Sequence, residues 1–272
     1  MKVGYQVAFS LLMALTTGPV FAQTQEQLDW CYGKDSAPEK TVDGCTAVIQ
    51  SGTKTGKDLA LAFAYRGFVL LKRGKLDSAI QDFGEAIRLD PIDANTRINR
   101  CTAYSFAGRF DQAIEDCSEA IRLNPKIART FVNRGFAYRN KGDYDNAIKD
   151  YGEAIRLDPK LAIAYNGRGK AYGDKGDYDN AIKDYDRAIE LNPNYADAFN
   201  GRGVAHARKG EYDRAIADFD QAIRLDPQDK FPVENRALAV EKSRKPPNAL
   251  QQAIERSIEA QGVPTSRPSR RP

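Results

Sequence analysis

ARTFVNRGFAYRNKGDYDNAIKDYGEAIRLDPKL, residues 128–161, sets the beat of the chain. Moved forward by 34 residues it nearly repeats, with Arg134-Gly135 becoming Arg168-Gly169 and Gly142-Asp143-Tyr144-Asp145 becoming Gly176-Asp177-Tyr178-Asp179. Prolines at 91, 125, 159, 193 and 227 keep the same interval. A period of this length predicts an all-α chain, a helical solenoid in which each unit buries its apolar face only against its neighbours. Five units fit, at 60–93, 94–127, 128–161, 162–195 and 196–229.

Aligned on each other, the units show what each column is for. Position 15 is glycine in all five (Gly74, Gly108, Gly142, Gly176, Gly210), as a left-handed residue ending a helix requires. Position 18 is aspartate (Asp77, Asp111, Asp145, Asp179, Asp213), expected to be the N-cap of a second helix. Alanines at position 20 (Ala79, Ala113, Ala147, Ala181, Ala215) let the two helices approach closely. Those at position 27 (Ala86, Ala120, Ala154, Ala188, Ala222) do the same against the next unit. The proline at position 32 stops the second helix and opens the next turn.

The flanks differ. Lys2, the apolar run Val7 to Leu15 and the small-x-Ala pattern Val20-Phe21-Ala22 form a secretory leader over 1–22, so the mature chain is expected to start near Gln23, exported to a bacterial periplasm or secreted. Residues 23–58 read as a degenerate helix pair followed by a polar linker, Ser51 to Asp58. Residues 230–261 read as a decaying repeat, with a first helix from Val233 to Ser243 and a capping helix from Asn248 to Gln261. The Pro/Arg/Ser-rich stretch 262–272 is expected to be disordered. The formal net charge is +4, and the tail alone holds Arg267, Arg270 and Arg271. The remainder is near balance, which argues against a nucleic-acid partner, and three tail charges are too few for firm membrane anchoring.

The columns resemble the tetratricopeptide repeat (TPR), with Gly at position 8, Tyr at 11, Ala at 20, an aromatic at 24, Ala at 27 and Pro at 32. The resemblance spans 60–229 without a gap. Two columns depart from it: the usual Trp at 4 is Phe63, Arg97, Phe131, Tyr165 and Phe199, and the usual Leu at 7 is Arg. It implies antiparallel helix pairs stacked into a right-handed α-solenoid whose first helices line a concave groove.

Four units have Gly at position 8 and Phe or Tyr at 24, consistent with a ring lying over bare backbone; the second unit replaces both at once, by Cys101 and Cys117. Matching Cys45-Thr46-Ala47-Val48-Ile49 to Cys117-Ser118-Glu119-Ala120-Ile121 puts Cys45 at position 24 and brings Cys31 to position 8. Of three possible connectivities the expected one is therefore Cys31–Cys45 with Cys101–Cys117. Four buried free thiols are the competing reading, and the leader weighs against it. Position 7 is Arg (Arg66, Arg100, Arg134, Arg168, Arg202) and position 23 is Asp (Asp82, Asp116, Asp150, Asp184, Asp218). A pair repeated in every unit cannot mark one unique site, so these are read as structural ion pairs.

Chemistry is scarce. His206, the single histidine, sits at position 11 where three other units carry Tyr104, Tyr138 and Tyr172, and reads as a packing substitute. No catalytic residue, metal site or cofactor is expected, since there is no nucleophile elbow, phosphate loop or metal-ligand cluster. What remains is the groove, which the resemblance places at positions 2, 5, 6, 9, 12 and 13 of the first helices. In the first three units this selects Phe68, Ile98, Asn99, Thr102 and Phe106, then Arg129, Val132, Asn133 and Phe136; further along it selects Asn166 and Lys170. An apolar groove with Asn side chains suits an extended peptide, the amides bonding its backbone and Phe68 and Phe136 offering pockets. The family's two-carboxylate clamp is not matched: Asn99 fits and Arg129 preserves a charge, but Ala64, Phe68 and Asn133 depart. The expected function is a non-enzymatic adaptor that binds a partner protein or peptide in envelope assembly or regulation. The alternative is a periplasmic chaperone or export factor holding unfolded clients.

Overall fold

Each 34-residue unit divides at its position-15 glycine into two helices. Gly74 and Gly176 have φ of +71° and +88°, a left-handed conformation open to glycine at no steric cost. The Asp177 N–H then reaches back to the Tyr172 carbonyl at 2.9 Å, closing the helix end. The computed structural model describes residues 24–33 and 37–244. The expected leader at 1–22, capping helix at 248–261 and tail at 262–272 lie outside the described residues.

The described residues form thirteen helices and no strand. They divide into two units meeting after Arg109. The first holds α1 (Gln25–Tyr32), α2 (Pro38–Ser51), α3 (Gly56–Lys72), α4 (Leu76–Leu89) and α5 (Ala94–Phe106). The second holds α6 (Phe110–Leu123), α7 (Ala128–Asn140), α8 (Tyr144–Leu157), α9 (Ala162–Lys175), α10 (Tyr178–Leu191), α11 (Ala196–Arg208), α12 (Tyr212–Leu225) and α13 (Lys230–Arg244). Within each, a helix packs on its neighbours in sequence, and first helices also meet one another: α3 with α5, α7 with α9, α9 with α11. That contact pattern is a solenoid of helix pairs.

Small residues set the helix spacing. The position-20 alanines are all 0% exposed, and those at position 27 no more than 2%. Large rings at position 24 fill what remains: Phe83, Tyr151, Tyr185 and Phe219 are buried, each worth about 2 kcal/mol in apolar area removed from water.

Three expectations need correction. The position-18 aspartates are not N-caps; they lie in the first turn of α4, α6, α8, α10 and α12. The cap falls two residues earlier, where Asp143 accepts from the Asn146 N–H and Asp177 from the Asn180 N–H. Position 18 instead lies in the positive first turn, and four of the five, Asp213 apart, pair with a cation of the following repeat among the described residues, as Asp77 does with Arg109 at 2.7 Å and Asp179 with Lys209 at 2.6 Å. The polar linker is shorter than Ser51 to Asp58, because α2 includes Ser51 and α3 already starts at Gly56. The expected helix from Val233 to Ser243 is longer, running from Lys230 to Arg244 with Pro232 inside its first turn, where a missing N–H costs nothing.

Candidate functional site

The recurring ladder of charges resolves into scaffold. Arg66, Arg134, Arg168 and Arg202 each grip the position-23 aspartate of the same repeat with Nε and Nη2, at 2.6–2.9 Å. Those carboxylates are buried, and their hydrogen bonds hold the guanidinium pKa of Arg134, Arg168 and Arg202 above its ordinary value against the opposing cost of burial. A third contact was not foreseen. Nη1 reaches back to position 25 of the preceding repeat: Arg66 to Thr46 at 3.0 Å, Arg134 to Ser118 at 3.0 Å, Arg202 to Asp186 at 2.6 Å. Each of these three arginines therefore clasps three helices. The column also lies over the ring at position 4, with guanidinium groups 5.5–5.8 Å from Phe63, Phe131, Tyr165 and Phe199, which accounts for an aromatic there beside an arginine. In the remaining repeat Arg100 stacks on Tyr104 and Asp116 is buried.

Cys31 and Cys45 are bonded, joining α1 to α2 with their Cα atoms 4.5 Å apart. Cys101 and Cys117 are disulfide-bonded as well, and no described cysteine is free. His206 is buried, its Nδ1 2.7 Å from Glu211, whose carboxyl this contact and Lys209 hold at about 2. Among the described residues no cluster of His, Cys, Asp or Glu could hold a metal, and no helix is long and apolar enough to cross a membrane.

Position 24 does more than cover its own repeat. A Cβ placed on Gly135 would stand 3.2 Å from Tyr151, but one on Gly167, at position 6 of the next repeat, would stand 2.4 Å from that ring. Tyr185 fits the same way between Gly169 and Gly201. The rule can be read in the sequence by pairing position 24 of one unit with position 6 of the next. Tyr151 and Tyr185 face Gly167 and Gly201, whereas Phe83, Cys117 and Phe219 are followed by Asn99, Asn133 and Asn235. Replacing Gly167 by alanine should therefore destabilise. Helix propensity returns about 1 kcal/mol, while a methyl driven into a ring held on both sides costs about 3 kcal/mol. A net loss of about 2 kcal/mol is expected in urea unfolding, and an unchanged midpoint would show that the ring can move aside.

The first-helix faces hold two different pockets. In the first unit a cavity of about 610 Å³ lies between α3 and α5, lined by Leu61, Ala64, Tyr65 and Phe68, by Ile92 of the turn, and by Asn95 and Asn99. Leu61, Tyr65 and Ile92 are 47%, 44% and 66% exposed, although large apolar side chains. Phe68 is half-buried, with the Lys72 ammonium 4.9 Å from its ring centre, and Tyr65 meets Tyr32 edge-on at 6.0 Å. Leu61 and Tyr65 sit at positions 2 and 6, which are groove columns, yet neither is among the residues selected from the sequence; Ile92, in the turn, had no such signal.

In the second unit a cavity of about 460 Å³ is polar, lined by Arg139, Lys170, Asp174, Tyr178, Tyr185, Asp197, Asn200, Val204 and Arg208. Arg139 donates through Nε to Asp174 at 2.6 Å, and the Lys170 ammonium holds Asp197 at 2.6 and 2.9 Å. Burial raises the Tyr185 pKa, opposed by the nearby Arg139 charge.

The remaining expected groove residues scatter. Asn99 lines the first pocket and Lys170 the second. Phe106 is 64% exposed, Arg129 is exposed, and Asn133 and Phe136 are half-buried. The Thr102 hydroxyl donates to its own helix, at the Ile98 carbonyl. Ile98, Val132 and Asn166, all at position 5, are no more than 7% exposed and are not available to a partner. Position 5 closes against neighbouring helices, as Asn166 does in donating to Tyr195 and Asp197.

Comparison with known proteins follows the same columns. Family models described as tetratricopeptide repeat match residues 60–93, 94–127 and 166–230, and one described as TPR repeat matches 135–176. Among solved structures, MamA is 26% identical with a TM-score of 0.53, over 60% of this chain and 95% of that one. A thermophilic TPR protein in Thermus thermophilus is 21% identical with a TM-score of 0.57, over 66% of this chain and 98% of that one. YrrB, described as a TPR protein with an unusual peptide-binding site, is 20% identical with a TM-score of 0.54, over 72% of this chain and 99% of that one. The last two likenesses concern fold alone. A comparison with curated proteins returns no match.

Proposed function

Since the chain belongs to the tetratricopeptide repeat family, whose fold serves as a protein-interaction scaffold, we propose that it is a non-enzymatic adaptor receiving an extended segment of a partner protein on its first-helix face. One observation carries this reading. Leu61, Tyr65 and Ile92 crowd exposed around a single cavity whose wall also offers the Asn95 and Asn99 amides. Apolar side chains exposed together over a concavity mark a docking surface, and amides beside them suit the backbone of an extended chain. We further place the adaptor in an oxidising compartment, a bacterial envelope or the exterior, with a role in envelope assembly or regulation. The leader pattern at 1–22 and the disulfide-bonded cysteines support that placement.

The test is quantitative capture from the native envelope fraction by wild type and by Tyr65→Ala/Ile92→Glu, both changes being at exposed positions. The variant is expected to keep its helix content and to lose about tenfold or more of the captured partner, the scale of one hot-spot aromatic. Equal capture would remove the pocket from the function. A chaperone using the same patch would suppress aggregation of unrelated unfolded proteins, which the adaptor leaves unaffected.

A further inference from the structure

The pocket of the second unit has a different chemistry from the first, and its hydrogen-bonding capacity is lopsided. Both of its carboxylates are already paired with a cation: Asp174 takes the Arg139 Nε–H on one oxygen, and Asp197 takes the Lys170 ammonium and the Asn166 amide. Its donors keep unspent groups. Arg139 spends only Nε on Asp174, and Arg208 makes no hydrogen bond or ion pair among the described residues. The Tyr185 side chain is 96% buried, its exposure being 4%, yet its hydroxyl has no hydrogen-bond partner among the described residues. The absent side chain of Gly201 lets that hydroxyl reach the cavity, since a Cβ there would stand 2.8 Å from it. Two residues with guanidinium groups and one with a phenol, all with unspent N–H or O–H groups, thus line one cavity of about 460 Å³. Such a set favours a planar anion with several lone pairs.

We propose that this pocket receives a carboxylate of an acidic segment in the partner polypeptide, Arg139 and Arg208 holding the charge and the Tyr185 hydroxyl donating to one oxygen. The inference rests on the first-helix face being the docking surface. None of Arg139, Arg208 and Tyr185, at positions 12, 13 and 24, is a position of the two-carboxylate clamp considered above, so this is a separate way of reading acidity. Tyrosine instead of phenylalanine at position 24 acquires a use by it: Phe83 and Phe219 fill the same column without a hydroxyl.

The experiment is a chemical-shift titration of the full chain, following arginine Nε–H signals. The probes are N-acetyl-hexaglutamate amide, N-acetyl-hexaglutamine amide and inorganic phosphate. The glutamate probe is expected to shift the Arg139 and Arg208 signals saturably, and the glutamine probe to leave them in place. Arg208→Gln should weaken the glutamate probe about tenfold, as loss of a charge-assisted contact does. Tyr185→Phe should weaken it about threefold, the scale of one neutral hydrogen bond, with the melting temperature unchanged. An equal response to both peptides, or an undiminished one in Arg208→Gln, overturns the proposal. So does a response to phosphate as strong as to the glutamate probe, which would mean an adventitious ion only. Failure here with partner capture still dependent on Tyr65 and Ile92 removes this subsite alone; the reverse outcome removes the Tyr65/Ile92 pocket from partner binding and leaves this subsite standing.

Discussion

Arg202→Ala is expected to cost about 4 kcal/mol of unfolding free energy, the scale on which a buried ion pair breaks when one partner is removed. Among the described residues Arg202 is the cation on the buried Asp218, which it meets twice, at 2.9 and 2.6 Å, while its third nitrogen holds Asp186 at 2.6 Å. Alanine leaves the Asp218 carboxylate 6% exposed without that cation, and also removes the contact over Phe199. The surface pairs make a useful contrast. Lys209 with Asp179 is exposed and should be worth less than about 1 kcal/mol. Replacing Arg202 and Asp218 together by leucine should cost much less than the single change, because no charge is left stranded. Urea unfolding of the three proteins checks this, and a double variant as unstable as Arg202→Ala would mean that the arginine acts through its packing instead of its charge.

Removing the Cys31–Cys45 bridge should cost about 3 kcal/mol, the loop-closure value for roughly fifteen residues, and the loss should stay local. The bridge spans 14 residues and ties α1, only eight residues long, to α2. An isolated helix of that length does not persist in water. Trp30, the single tryptophan, lies in α1 with the Lys40 ammonium 5.3 Å from its ring centre, so its fluorescence reports on this element. In Cys31→Ser/Cys45→Ser its emission should shift to the red at lower urea than the loss of helix signal. Coincident transitions at the wild-type concentration would show that packing alone retains α1.

The fold was legible because the period carries it. Gly74 to Gly210, the paired alanines and the prolines each answer a steric need that recurs at a fixed step, and comparing repeats exposes such needs directly. The contact of position 8 with position 24 was legible for the same reason, through the joint replacement at Cys101 and Cys117. Roles that shift by a residue or two were not. Whether an aspartate caps a helix or sits in its first turn depends on where the turn closes, and Asp145 and Asp143 are both suitable by type. The third arm of the arginine clasp was hidden because its partner varies, as Thr46, Ser118 and Asp186. At the site, Asn99 and Lys170 were identifiable from their columns, but columns cannot separate a residue facing open space from one closed by the next helix. That is why Ile98, Val132 and Asn166 were selected and Ile92 was missed.

The tyrosine windows limit how such a chain can be rearranged by duplication or recombination. A unit ending in Tyr151 or Tyr185 requires a successor with no side chain at position 6, since any Cβ there would lie 2.4–2.6 Å from the ring. A unit ending in Phe83 or Phe219 is followed by asparagine instead. The repeats are therefore keyed at their joints, and units of equal length are not interchangeable. Moving one into a new place preserves the junction only where tongue and slot still match.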